Sequence, residues 1–68
     1  MLRLLDVVEL RVATDSWEVG TAGTVVEVSE DRVLVEISDD EGRTLDLVSL
    51  PPDVVRRLDV PHQERLHL

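Results

Sequence analysis

The 68-residue chain contains no cysteine, no lysine, no phenylalanine and no tyrosine. Without cysteine it can have no disulfide, no thiolate nucleophile and no cysteine-based zinc site. No apolar run approaches the roughly 20 residues of a membrane span. The N-terminal stretch MLRLLD, residues 1–6, is too short and too early charged for a signal peptide. We therefore expect a cytoplasmic protein. The length allows one domain and is short for an enzyme that needs both a core and a pocket.

Acidic residues greatly outnumber basic ones. Fifteen Asp and Glu against seven Arg give a formal net charge of −8. The excess lies in residues 1–52, because residues 53–68 contain three acids and three arginines. Nucleic-acid binding depends on a positive surface, and Trp17 alone cannot supply the stacked aromatic residues of a single-strand binder. The composition therefore favours a basic protein partner over direct contact with nucleic acid or membrane.

The apolar residues favour strands. Thirteen are valine and one is isoleucine, and such β-branched side chains fit a pleated, half-buried surface. Four segments alternate apolar and polar residues with the period of two that is typical of half-buried strands. They lie near residues 8–12, 24–28, 33–37 and 45–50. We predict that the buried side chains are Val8, Leu10, Val26, Val28, Val33, Val35, Ile37, Leu45 and Leu47.

Turn-forming residues separate these segments. Residues 29–31 suit a tight hairpin, and residues 39–42 suit a second one in which Gly42 can adopt a positive φ. The first connection, residues 13–22, is longer. The prolines at positions 51 and 52 end the fourth strand, because proline cannot donate a hydrogen bond to a ladder.

This order of elements predicts an all-β fold. Residues 53–58 can hold a short 3₁₀ turn followed by a last strand. We predict a small five-stranded Src-homology-3-like barrel over residues 1–58, followed by a C-terminal tail at residues 59–68. An oligonucleotide-binding barrel is the alternative, but that fold needs longer strands and usually a helix.

Four stretches of the chain resemble a known family. They read LLDVVEL at residues 4–10, VGTAGTVVEV at residues 19–28, EGRT at residues 41–44 and LPPDVVR at residues 50–56. Together they resemble the bacterial domain-of-unknown-function family 4926 over about residues 2–58. The resemblance implies a small barrel and a partnership with a neighbouring protein, and it brings no established activity.

Patterns for catalysis or metal binding are weak. The two histidines, His62 and His67, lie in the tail and lack the i, i+4 spacing of a helical metal pair. Residues 39–42 form only a fragment of a calcium-binding loop. Residues 20–24 have the glycines of a phosphate-binding loop but neither its lysine nor its helix. We expect no enzymatic activity, no metal and no cofactor.

Two acidic loops form the candidate partner site. In an antiparallel meander, the loop at residues 13–22 and the tip at residues 39–42 lie at the same end of the sheet. Trp17 is either an interface anchor within this acidic rim or a plug over the core. We expect the acids to have no structural role, so that docking to a cationic partner explains them. The predicted partner-binding residues are Trp17, Asp15, Glu18, Asp39, Asp40 and Glu41.

These observations predict a non-enzymatic interaction module, an acidic barrel that binds a larger, basic protein. One version is an immunity or antitoxin-like protein that masks a basic nucleic-acid-handling enzyme, and it rests on the gene neighbourhood that the family resemblance implies. A KOW-like RNA-associated module is the alternative, because residues 20–26 resemble the KOW motif. The marginal core and the apolar residues of the tail also predict weak self-association through a strand edge or the tail.

Overall fold

The computed structural model describes residues 1–58 and contains one antiparallel sheet. The predicted all-β class and the 3₁₀ turn before the last strand are confirmed. Within this span, no helix is long and apolar enough to cross a membrane. The predicted tail lies outside the described residues. The elements are β1 (Val7–Leu10), β2 (Ala22–Val28), β3 (Val33–Ser38), β4 (Thr44–Leu50), the 3₁₀ turn (Pro52–Val54) and β5 (Val55–Arg57).

The sheet is open rather than closed. Its strands follow the order β4-β3-β2-β1-β5, so that over residues 1–58 β4 and β5 form its two edges. β2 is the bent strand, because its pairing with β3 shifts register between Val25 and Glu27. Such a β-bulge adds one residue, here Val26, and increases the local bend and twist. The sheet therefore curls, and side chains from all five strands meet in one core.

Strands β1 and β3 have the predicted inward side. Val8 and Leu10 of β1 are buried, as are Val33, Val35 and Ile37 of β3. Glu9 separates the two buried residues of β1, and β3 alternates buried with half-buried positions. Leu50 and Val55, from β4 and β5, complete the buried cluster with Val25.

The prediction for β2 is wrong by one residue. Val25 is fully buried, whereas Val26 is half-buried at the bulge. The pairing with β1 places Gly23 opposite the inward Val8, so that Val25 shares that face. A Cβ atom at Gly23 would lie 2.5 Å from Cγ1 of Val35, so this close approach requires glycine. Val28 lies opposite buried Val33 but is 41% exposed at the end of the strand.

The prediction for β4 is also wrong. Leu45 and Leu47 are 54% and 53% exposed, and the inward positions are Asp46, Val48 and Leu50. A second register shift, opposite the end of β3, leaves Leu45 without a partner in the ladder. Both alternating sets on β4 contain apolar residues, so the period of two does not decide which set faces the core.

Candidate partner-binding site

The Trp17 loop, residues 11–21, is a compact connection between β1 and β2. Its two ends are joined by main-chain hydrogen bonds, from Leu10 N–H to Thr21 O and from Gly20 N–H to Leu10 O, both at 2.9 Å. Inside the loop, Trp17 N–H donates to Thr14 Oγ1 at 3.0 Å, and Thr14 N–H donates to Trp17 O at 2.8 Å. Thr14 therefore organises the turn that presents Trp17.

Trp17 points back onto the sheet. Its side chain is half-buried and packs against the core cluster. The indole Nε1–H donates to Asp46 Oδ2 at 2.8 Å, which satisfies the polar end of the ring. This position is that of a plug over the core, and its role in partner binding stays a prediction.

Asp46 is the residue that sequence reasoning missed. One carboxylate oxygen accepts the Trp17 indole, and the other accepts the N–H of Leu47 at 2.9 Å. The same side chain therefore joins the Trp17 loop to β4. The sequence did contain a signal for this role. Asp46 lies two residues before Val48 and four before Leu50, so it shares their inward side of the strand.

The two acidic loops lie beside the same end of β2. The Trp17 loop leads into the start of β2, and the end of β3 pairs there through Glu36 and Thr24. Asp15 and Glu18 of the first loop are exposed. In the hairpin, Asp40 and Glu41 are exposed and Asp39 is half-buried. The only side-chain hydrogen bond from the Trp17 loop to another strand, within the described residues, goes through Asp46 and not through these hairpin acids.

Asp39 has a structural role in the acidic hairpin tip, residues 39–43. Its Oδ1 accepts the backbone N–H groups of Glu41 and Arg43, both at 2.9 Å. Its Oδ2 accepts Nε–H of Arg43 at 3.0 Å. These donors, above all the backbone N–H of Arg43, hold the pKa of Asp39 below its ordinary value against a smaller opposing effect of desolvation.

The expectation that the acids lack a structural role is therefore wrong for Asp39. The turn also contains Gly42 at φ +85°, which is the positive φ that the sequence predicts for this glycine. Glu41 forms an ion pair with Arg43 Nη2 at 3.0 Å. Among the five predicted acids, Asp15, Glu18 and Asp40 are thus those for which the structure shows neither a side-chain hydrogen bond nor an ion pair within residues 1–58.

Side chains also bond to the backbone of the edge strand β4. Asp46 accepts the Leu47 N–H, and Arg32 donates from Nη2 to Ser49 O and from Nε to Ser49 Oγ, both at 3.0 Å. An edge strand with open hydrogen-bonding groups invites pairing with another chain, and such contacts blunt it. Self-association through a strand edge stays a prediction, and the tail version of it lies outside the described residues.

Within residues 1–58 no polar or charged residue is buried, and no group of three or more potential ligands could hold a metal ion. The histidines His62 and His67 fall outside this span. The exposed side chains of the described residues include carboxylates, arginines and apolar groups.

Fold and surface define the class as a small all-β domain with one open, curled sheet and an acidic exterior. The chain belongs to the family described as Domain of unknown function (DUF4926), whose model matches residues 4–57. This match confirms the family resemblance and includes all five strands. No curated protein and no solved structure matches the chain.

Proposed function

We propose that this protein is a non-enzymatic interaction module that binds a larger, basic protein in the cytoplasm. The charge of the surface carries the proposal. Residues 1–58 contain 13 acidic residues and 6 arginines, and none of them is buried in the described structure. A cationic partner would gain long-range attraction from this field and would associate faster because of it. An immunity or antitoxin-like protein that masks a basic nucleic-acid-handling enzyme is one such module.

We place the contact on the two acidic loops. Asp15, Glu18 and Asp40 would meet the partner's cationic groups, since they are exposed. Asp39 would hold the hairpin tip in shape through its bonds to Glu41 and Arg43. The remaining members of the proposed site are Trp17 and Glu41.

We further propose that the domain is a Src-homology-3-like barrel. The bend in β2, the antiparallel pair of β1 and β5 and the 3₁₀ turn before β5 support this assignment. A barrel of this type would present the two acidic loops on one rim, where a single partner surface can reach both.

Affinity purification from the native cell tests the interaction. The tagged protein is expected to retain a basic protein at low salt and to lose it at high salt, because a Debye length of about 8 Å at physiological ionic strength screens exposed charges. Asp40→Lys should slow this association at low salt. Asp31→Lys is the matched control, since Asp31 is an exposed aspartate in the other hairpin turn. Equal association of the two variants would argue against the acidic-loop site.

A KOW-like RNA-associated module is the second candidate. It is supported by the segment in which Gly20, at φ +90°, turns the chain into β2. Passage over heparin at low salt separates the two functions. The acidic interaction module should flow through, and retention would favour the RNA-associated module.

A further inference from the structure

A cleft separates the Trp17 loop from the edge strand β4. It has a volume of about 290 Å³ and is lined by residues 14–17 of the loop and residues 46–49 of the strand. Inward and outward residues of β4 both line it, which places it along the edge of the strand rather than on one face of the sheet. Within residues 1–58, β4 has a neighbouring strand only on its β3 side. We call this space the edge cleft.

Two residues of β4 direct their backbone groups into the edge cleft. In an antiparallel ladder, successive residues turn their N–H and C=O groups to opposite sides of the strand. Because Ser29 N–H donates to Arg32 O at 2.9 Å, Arg32 and every second residue after it bond to β2, and the residues between them bond to β4. Positions 46, 48 and 50 of β4 therefore bond to β3. The backbone groups of Leu47 and Ser49 point away from β3.

Side chains occupy two of these four backbone groups. Asp46 Oδ1 accepts the Leu47 N–H at 2.9 Å, and Arg32 Nη2 donates to Ser49 O at 3.0 Å. Within residues 1–58, no such side-chain contact reaches the two groups between them, Leu47 O and Ser49 N–H. An acceptor and a donor in this arrangement match one added antiparallel strand. The edge of β4 is therefore only partly blunted, and a short segment can still pair with it.

The side chains beside the edge define which segment fits. The ionisable residues that line the edge cleft are Asp15 and Asp46, and no basic residue of the described span lines it. On the outward side of β4, Leu45 and Leu47 are more than half exposed. Neighbouring strands are stabilised by opposite charges and by apolar pairs across each face. A complementary strand therefore alternates basic residues, which meet the aspartates, with apolar residues, which meet the leucines.

Charge also separates this occupant from a second copy of the chain. A second copy would bring a net charge of −8 toward the same two aspartates. Arg32 does not neutralise them, because it lies outside the lining and bonds to Ser49, at the opposite end of the lining segment from Asp46. A basic segment gains from this field, and a like-charged one does not.

We propose that the edge cleft receives an extended segment of the basic partner, in which basic and apolar residues alternate, as an added strand on β4. This inference rests on the proposed function and deepens it, because it names the form of the partner segment. Leu47 O and Ser49 N–H make the main-chain hydrogen bonds, and Asp15 and Asp46 face the basic side chains. Trp17 keeps its place over the core and borders the added strand.

The test uses a defined probe, a synthetic peptide of about eight residues in which valine alternates with arginine. Binding is followed by the emission of Trp17, the single tryptophan of the chain, and by hydrogen exchange of the backbone amides. The Ser49 N–H should exchange rapidly in the free monomer and at least about tenfold more slowly in the saturated complex. A peptide that alternates valine with glutamate should not bind.

Two substitutions at Ser49 isolate the backbone contact. Ser49→Pro and Ser49→Ala both remove the hydroxyl that accepts Arg32 Nε–H. Only proline also removes the N–H, at an edge position where proline is tolerated. Ser49→Pro should weaken peptide binding by about tenfold, the effect of one lost hydrogen bond, whereas Ser49→Ala should bind as the wild type does.

A second pair of variants tests the charge without altering the strand, and it decides the matter also if Ser49→Pro does not fold. Asp15→Lys, beside the edge cleft, should weaken peptide binding at low salt by at least about threefold more than Asp40→Lys does. Asp40 is the control because it is an exposed aspartate of the hairpin tip and does not line the cleft.

Equal binding by Ser49→Pro and Ser49→Ala, or equal effects of the two lysine variants, would overturn the inference. A Ser49 N–H that exchanges slowly in the free monomer would assign the edge to another part of this chain. Slowing that depends on protein concentration alone would assign it to a second copy. If the peptide does not bind while affinity purification still retains a basic protein, only this inference fails. If neither binds, the proposed function fails as well.

Discussion

The Trp17 loop and the N-terminal segment at residues 3–6 place their largest apolar side chains in opposite ways. In the loop, the single aromatic residue of the chain lies against the core, and its Nε1–H bonds to Asp46. In the segment, Leu4 and Leu5 face solvent on a turn that is bonded to β2. Trp17 can pack against the core because Asp46 accepts the hydrogen bond of its polar Nε1–H group. The turn of Leu4 and Leu5 is held by backbone hydrogen bonds to β2, although both leucine side chains stay exposed.

Trp17→Ala should have the largest effect on stability. The substitution removes the cover of the core and leaves Asp46 without the indole donor, so we expect a loss of about 2–4 kcal/mol, somewhat below the cost of a fully buried aromatic residue. Urea denaturation measures the change. Leu4→Ala is the control from the other region and should change stability by less than about 0.5 kcal/mol. Similar losses for both would break the comparison.

Asp46→Ala should have the second-largest effect. Both the Trp17 indole and the Leu47 N–H lose their acceptor, at a cost of about 1–2 kcal/mol because water can replace part of it. The fluorescence of Trp17 should shift to longer wavelength as the ring becomes more exposed. Asp40→Ala, at an exposed acid, should change neither quantity. An unchanged emission spectrum in Asp46→Ala would show that the carboxylate does not hold the loop.

Leu5→Gly should have a smaller effect of the opposite sign. Relief of the positive φ favours the folded state, while the greater freedom of glycine in the unfolded chain offsets part of that gain. We expect a stabilisation of about zero to 1 kcal/mol, read from the thermal midpoint. A midpoint that falls by several degrees would mean that Leu5 packs as part of the core, like Trp17.

The smallest effect should come from the pH dependence at Asp39. Its folded-state pKa is lowered, so its contribution to stability is present above the unfolded pKa of about 3.9 and is lost as pH falls through the folded pKa. Asp39→Asn should therefore be less stable than the wild type near neutral pH, and the difference should narrow in acid. Urea midpoints across that range measure it. Asp40→Asn should show no such convergence.

How far the sequence predicts the fold depends on the strand. On β1, Val8 and Leu10 alternate with Val7 and Glu9, so only the first set is wholly apolar, and the prediction is right. On β2, Val25 and Val26 are adjacent, and the register against β1 together with the bulge decides between them. The period of two therefore predicts where strands lie better than it predicts which side faces inward.

The candidate site was only partly predictable for the same reason. The acidic loops follow from turn chemistry, and the structure places both beside the start of β2. Asp46 was missed because its inward position depends on the register between β3 and β4. The structural role of Asp39 was missed because it depends on the N–H groups of a turn that forms only when the hairpin closes.

The sequence by itself determined the all-β class, the positions of the turns, the excess of negative charge and the family. These properties follow from residue composition and from contacts between near neighbours in the chain. Only the tertiary structure decided the inward faces of β2 and β4, the direction of Trp17 and the outward presentation of Leu4 and Leu5. The inward faces of β2 and β4 depend on strand register and bulges, where a shift of one residue reverses the side that every following side chain takes. The positions of Trp17 and of the leucine turn depend on hydrogen bonds to β4 and β2.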